Sequence, residues 1–470
     1  MDKLFPTKEL FNDYDLYKET NLTKRRFKHS EIETLIKKLQ PNDLININNI
    51  GKSIEERNIY QIKIGKGDTK VLAWSQMHGD EPTSTMAIFD ILNFFMKDDK
   101  YNDLRNNLLN NVTIYFIPML NPDGAEKFKR TNALEVDLNR DALRLRFPES
   151  KILMLLRNKL QPEFGFNLHD QNSKYSVGTS GKSAALSFVA PPFDFEKTIN
   201  GTREKSMKVI ADINEKIQKL VPGRTAKYSD EFEPRAFGDN FAKLGTSTIL
   251  IESGGWNNDP EKQFVRKLNF IALLAGFYSI ANETYQSQNV EQYFDIPENQ
   301  ELMFDLKLKN VNVPFGDQKY IVDIGINREE CNTSDYSSSF FKGTIVEIGD
   351  LSTYGAYETL DCTGLSLEMG ILLPSKFESL NEIMNLNSIE YLKKGMLFVK
   401  VDKIPEDQEF VNMPINVVSS RKEVANELKI ENYANFVLKK GDDVKYAVIN
   451  GFLTDLEKNE KTFSNGLIFT

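Results

Sequence analysis

Two cysteines, Cys331 and Cys362, are all that 470 residues contain. So few exclude a disulfide framework, and a single bridge between them is allowed but not implied. Neither has a histidine nearby in sequence, so neither reads as a catalytic thiol. Long apolar runs are missing too. No stretch is expected to reach the length of a membrane span, and the first residues, MDKLFPTKELFNDYDLYKE, lack the apolar centre of a signal peptide. The expected location is cytoplasmic, or secreted or periplasmic if a leader has been removed. A basic balance is also absent. The formal charge of -9 and pI near 5.3 argue against a nucleic-acid surface, which needs clustered Lys and Arg to neutralise phosphates. One short basic cluster, KRRFK at 24–28, reads as a solvated face in so acidic a chain. No nucleic-acid or membrane partner is expected, and the oligomeric state is left open.

What is there is ordinary globular material: 40% hydrophobic and 27% charged residues. The length exceeds what one core usually reaches, so two domains are expected. Residues 30–39 (SEIETLIKKL) open on Ser30 with Glu33 three later, a capping box before a short amphipathic helix. Residues 59–64 alternate as a half-solvated strand does, and GKGD at 65–68 makes a turn that would pair it, antiparallel, with the strand at 71–74. Further on, apolar runs at 112–118, 164–168, 186–190 and 248–251 alternate with helical periodicity at 82–97, 149–160, 204–220 and 260–282. That alternation predicts an α/β fold with a mixed, mainly parallel sheet flanked by helices over residues 1–283, including a helical extension at 1–55. Polar, aperiodic text at 284–300 reads as a linker. Short strand-like runs beyond it predict a smaller, mainly β domain at 301–470, without a cluster of chemical residues.

Histidine is scarce as well: His29, His78 and His169 are the only three. His78 and Glu81 stand three apart in WSQMHGDE, just beyond an apolar run, and His169 and Glu252 each end another. If those strands run parallel, all emerge at one sheet edge, where open α/β sheets bind ligands. Two His and one Glu form a standard catalytic zinc set that leaves a fourth position for water. His78, Glu81 and His169 supply it, and Glu252 is placed to exchange a proton with that water. Arg130, Asn139 and Arg140 lie in one loop, KRTNALEVDLNR, after the NPDG turn at 121–124. The planar fork of Arg suits a carboxylate through two parallel hydrogen bonds.

The order His-x-x-Glu, NPDG, an Arg followed by DLNR, a strand ending in LH and a strand ending in ES resembles the zinc carboxypeptidases of the M14 (carboxypeptidase A) family. The likeness covers roughly residues 55–282. It implies one Zn2+ ion held by His78, Glu81 and His169, with Glu252 as general base and acid. By the same likeness, Arg130 polarises the scissile carbonyl, and Asn139 with Arg140 holds the carboxylate of a peptide or peptide-like substrate. The family's mobile tyrosine has no obvious equivalent in KYSDEFEPRAFGDNF; Tyr228 is the nearest candidate, Arg235 is an alternative occupant of the pocket, and Phe237 reads equally as pocket lining or core. The carboxy-terminal domain has no counterpart in the family's minimal unit. Two other functions stay open: a deacylase or amidase of acyl amino acids or cell-wall peptides on the same site, and a binding protein that kept the fold without hydrolysis.

Overall fold

The computed structural model describes residues 5–39, 42–423, 426–458 and 465–470. They fall into two units, Met1–Glu301 and Leu302–Thr470. In the first, eight strands share one sheet: β1 (Ile45–Lys52), β2 (Asn58–Gly65), β3 (Thr69–Trp74), β4 (Val112–Ile117), β5 (Phe164–Asp170), β6 (Leu186–Val189), β7 (Thr225–Lys227) and β8 (Ser247–Ser253). Their order across the sheet is β1-β2-β4-β3-β5-β8-β6-β7. The central strands β4, β3, β5 and β8 run parallel, which requires crossovers between them. Strands covered on both faces are mostly apolar, as VLAW, FGFNL and TILI at the middle of the sheet are, with Asn167 the exception in β5.

The longer helices among this unit's described residues are α1 (His29–Leu39), α2 (Thr83–Met96), α3 (Asn102–Asn111), α4 (Pro148–Leu160), α5 (Gly201–Gln218), α6 (Phe237–Lys243) and α7 (Gln263–Ala281). Strand alternation sorts the side chains between two cores. Val71, Ala73, Phe166, Leu168, Ile249 and Ile251 face the core built with α2, α5 and α7. Leu72 and Trp74 face the other, built with α4 and α6. The helix α7 has a mean hydropathy of 1.3 and the length of a membrane span, against the expectation that no stretch has it. That window is 78% buried inside the unit, as the central helix of a folded core would be. A buried ion pair fixes α7 to α2, with Arg266 Nε 2.7 Å from Asp90 Oδ2 and Tyr14 donating to the same oxygen at 2.8 Å. The amino-terminal extension is thereby part of the core.

Three expectations need correction. The strands β2 and β3 are not a hairpin, because β4 lies between them, antiparallel to β2 and parallel to β3. The helix α1 begins at His29, not after a Ser30 cap. Glu31 takes the backbone N–H of Lys28 at 2.7 Å, while Glu33 accepts from Asn58 and Tyr60. Residues 284–300 are not a free linker. They form a 3-10 helix, Thr284–Ser287, and a short α-helix, Val290–Phe294, and they bury Tyr285 and Tyr293 in the first core.

The second unit is β-rich. Its larger sheet runs Ser339–Gly349, Gln318–Asn332, Met303–Phe315, Ser366–Met369, Phe436–Lys440, Asp443–Ile449, Phe452–Asp455, with Gly355–Asp361 also paired to Met303–Phe315. A smaller sheet joins Ile371–Ser379, Met396–Lys403, Asn416–Ser419, Gly466–Phe469 and Phe410–Val411. Both cysteines are free thiols.

Candidate active site

Where β3 stops, the chain turns through Ser75–Glu81 at the carboxyl edge of the sheet. The turn is shaped by a close approach: a Cβ at Gly79 would lie 2.0 Å from the carbonyl carbon of Gly124. Asn121 holds the other side, accepting the Gly124 N–H at 2.9 Å and donating to the Met77 carbonyl at 3.2 Å. The NPDG turn thus buttresses the loop that carries His78 and Glu81. His169 ends the adjacent strand β5, and Glu252 stands opposite it on β8 in the sheet register. All four residues are buried.

His78 Nδ1 is 2.7 Å from Glu81 Oε1, and His169 Nδ1 is 2.7 Å from Glu81 Oε2. One ligand atom from each residue lies within 4.8 Å of the others. Asp137 Oδ1 lies 3.0 Å from His78 Nε2 and Glu81 Oε1 faces the other ring nitrogen, so both carry a proton in the charged ring. In the neutral ring that a cation would bind through Nδ1, the proton stays on Nε2 and is donated to Asp137. Nδ1 is then the atom offered to a cation, as in carboxylate–histidine–zinc arrangements. Two imidazole nitrogens and a carboxylate converging on one point match the donor set of catalytic zinc. The residues fit the ion the resemblance implies.

Charge around this point is lopsided. Burial opposes ionisation of Glu81, but the His78 and His169 rings outweigh it and hold its carboxyl well below the usual range. Burial likewise opposes the charge on His78, yet Glu81 and Asp137 raise it to about 9. Burial dominates at His169 and lowers it. Glu252 moves the other way: burial, then the negative charge of Glu81, raise its proton affinity well above the ordinary.

The loop after the NPDG turn brings cations to this edge. Arg130 donates to Glu81 Oε1 at 3.1 Å and to Asp137 Oδ2 at 3.0 Å, with its side chain 46% exposed. Asn139 is buried, and its Oδ1 accepts the backbone N–H of Phe237 at 2.9 Å. Arg140 donates to the Asn139 carbonyl at 2.9 Å and pairs with Glu233 at 3.4 Å. Tyr228 follows β7 and packs edge-on against Tyr175, ring centroids 6.0 Å apart. Burial and the Glu252 carboxylate both raise its phenol, which places it near that carboxylate.

Two candidates stand elsewhere. Arg235 is 55% exposed and turned to Glu233, which takes two hydrogen bonds from its guanidinium at 2.9 and 2.7 Å; the neighbouring carboxylate draws it away from the interior. Phe237 is wholly buried in the core with Phe241 and Trp74, the second of its two readings. Sequence reasoning also missed residues. Asp137 was visible inside DLNR, but nothing in one dimension ties it to His78, 59 positions away. Glu233, which bridges Arg140 and Arg235, lay in a stretch read for its aromatics and for Arg235 alone.

The family model for zinc carboxypeptidases matches residues 32–185. Carboxypeptidase SOL1 of Arabidopsis thaliana is 33% identical over 121 residues, 22% of this chain and 25% of that protein. Carboxypeptidase D of Homo sapiens is 23% identical over 234 residues, 44% of this chain and 16% of that one. The chain thus spans a quarter or less of the length of these two relatives. Among solved structures, a metallo-carboxypeptidase from Pseudomonas aeruginosa, in complex with (2-guanidinoethylmercapto)succinic acid, is 14% identical with a TM-score of 0.46, covering 55% of this chain and 70% of that one. His78, Glu81 and His169 all lie within the segment that the zinc carboxypeptidase family model matches.

Proposed function

We propose that the first unit hydrolyses the last amide bond of a peptide or peptide-like substrate that ends in a free carboxylate. The observation that carries this reading is the meeting of His78, Glu81 and His169 within 4.8 Å, with Glu252 on the adjoining strand. The chemistry that zinc supplies in such a site, when bound, is Lewis acidity toward a carbonyl oxygen and toward water. Glu252 is the proton carrier. Its buried carboxylate has a raised affinity for a proton, so it takes one from the attacking water and returns it to the departing amine. Arg130, whose guanidinium stands beside Glu81, donates hydrogen bonds to the oxyanion as charge develops there. Arg140 anchors the terminal carboxylate, and Asn139 fixes the adjoining loop through Phe237. Asp137 holds the His78 ring in the tautomer that leaves Nδ1 free.

The test is Glu252→Gln. Loss of at least about 1,000-fold in kcat on a carboxy-terminal peptide, with zinc content unchanged, is the expected result for a group that moves the proton in every turnover. Undiminished turnover removes Glu252 from the mechanism. A parallel panel of acyl amino acids and cell-wall peptides decides between carboxypeptidase and the amidase alternative.

A further inference from the structure

Three wholly buried side chains on the site's face of the sheet leave polar atoms without a hydrogen-bond partner among the described residues: Trp74 at its indole Nε1, and the two more polar ones, Asn167 and Ser187. Asn167 leaves both Nδ2 and Oδ1 unpaired, and Ser187 leaves Oγ unpaired. An amide and a hydroxyl without partners are costly in a packed interior, where most such groups are satisfied. Their positions are specific. Asn167 lies two residues before His169 on β5, so both side chains share a face and stand about 7 Å apart along the strand. Ser187 on β6 is directly opposite Glu252 in the antiparallel pair with β8. The start of α6 backs onto the amide: a Cβ added to Gly238 would come within 3.3 Å of Asn167 Nδ2 and 3.2 Å of Pro191 Cγ. Phe237, one residue earlier, is bonded to Asn139. Asn167 therefore lies between the loop that would hold the substrate's carboxylate and the groups that would act on its amide bond.

We infer that Asn167 and Ser187 form the polar floor of the recess that takes the substrate's last side chain, and that they select a neutral side chain carrying both a donor and an acceptor, a carboxamide. This rests on the carboxypeptidase reading above, and it names the substrate class. An amide pairs with an amide through one donated and one accepted hydrogen bond, and the hydroxyl supplies a third partner. The floor groups are uncharged, so a charged side chain lowered onto them would lose its hydration without gaining a counter-ion. An aliphatic one would leave the floor unpaired.

Calorimetric titration of the zinc-loaded full chain with free L-glutamine, L-asparagine and L-leucine tests this, alongside hydrolysis of peptides that differ only in that last residue. The better amide is expected to exceed leucine at least about tenfold in affinity and in kcat/KM. Asn167→Leu should reverse the preference, and Ser187→Ala should reduce it severalfold. Leucine bound as tightly as either amide overturns the inference, and so does a preference that neither substitution moves. The two readings fail separately. Amide-selective binding without cleavage of any peptide removes the carboxypeptidase and keeps the recess, whereas cleavage indifferent to the last side chain removes the recess alone.

Discussion

Asparagine is buried in both units, and at one position of the first, Asn167, it departs from the use made of it in the second. In the second unit Asn416, Asn435, Asn450 and Asn465 are wholly or almost wholly buried, and each side chain is spent on structure. Asn450 Oδ1 accepts the Gly343 N–H at 2.6 Å while its Nδ2 donates to the Phe341 carbonyl at 2.5 Å. Asn416 Nδ2 donates to Asn435 Oδ1 at 2.7 Å, and Asn465 Oδ1 accepts from the Phe341 N–H at 2.9 Å. No buried side-chain polar atom among the described residues of that unit lacks a partner. In the first unit unpaired atoms also occur away from the site, at Ser150, Ser279 and Gln288, while those of Asn167, Ser187 and His169 Nε2 gather at one edge of one sheet. Interior polarity in the second unit locks strands together. At the sheet edge of the first, it is kept unsatisfied beside ionisable groups, which is how sites made for a ligand differ from sites made for a fold.

Removing zinc should break the contrast most visibly. A chelator is expected to lower the unfolding temperature of the first unit and leave the second unmoved, the stabilisation reaching about 4 kcal/mol when free zinc is a thousandfold above Kd. Calorimetry reads the two transitions. Next in size is a matched pair of substitutions followed by urea unfolding. Asn450→Ala should cost the second unit about 3 kcal/mol, because several hydrogen-bonded groups lose their partner, whereas Asn167→Leu should be near neutral, since no bond is lost. Similar costs for both would erase the distinction.

A buried carboxyl in the first unit sharpens it further. Burial raises Asp239 to about 7 from an ordinary 3.8, so the folded chain holds that proton more tightly than the unfolded chain does. Its contribution to stability is present below about pH 4 and is lost as pH rises through 7. Relative to Asp239→Asn, the native chain should therefore weaken by about 2 kcal/mol between pH 5 and 8. A pH-independent difference would show that Asp239 does not titrate in this range. The smallest change expected is that of Asp137→Ala, which frees the His78 ring to turn and should weaken zinc about 10- to 100-fold in competition with a metal-binding dye.

Much of the site was legible because its members punctuate apolar runs. His169 and Glu252 end β5 and β8, and the HGDE turn follows β3, so parallel pairing of these neighbours brings them to one edge. Their chemistry is written at places where the hydrophobic pattern stops. What was illegible depends on pairing between distant segments. The β2–β3 hairpin was misread because a short glycine turn says nothing of a strand, β4, inserted between them from 40 residues later. Asn167 sits inside an apolar run, where one polar residue reads as an exception to the pattern. Arg235 was read as an alternative occupant of the pocket, and Phe237 equally as lining or core. The loop instead closes on itself through Glu233, and α6 turns Phe237 into the core.

The contact of Gly79 with Gly124 bears on which sequences can carry this site at all. Two main chains touch there without side chains between them, so a methyl group on Gly79 would act as a wedge between them, while one on Gly124 would strike the Asn121 amide that ties the ligand turn to its support. The histidine and glutamate would survive such a change in the sequence and be displaced in space. A search that asks only for His-x-x-Glu would accept the damaged chain, and one that also demands both glycines would reject it.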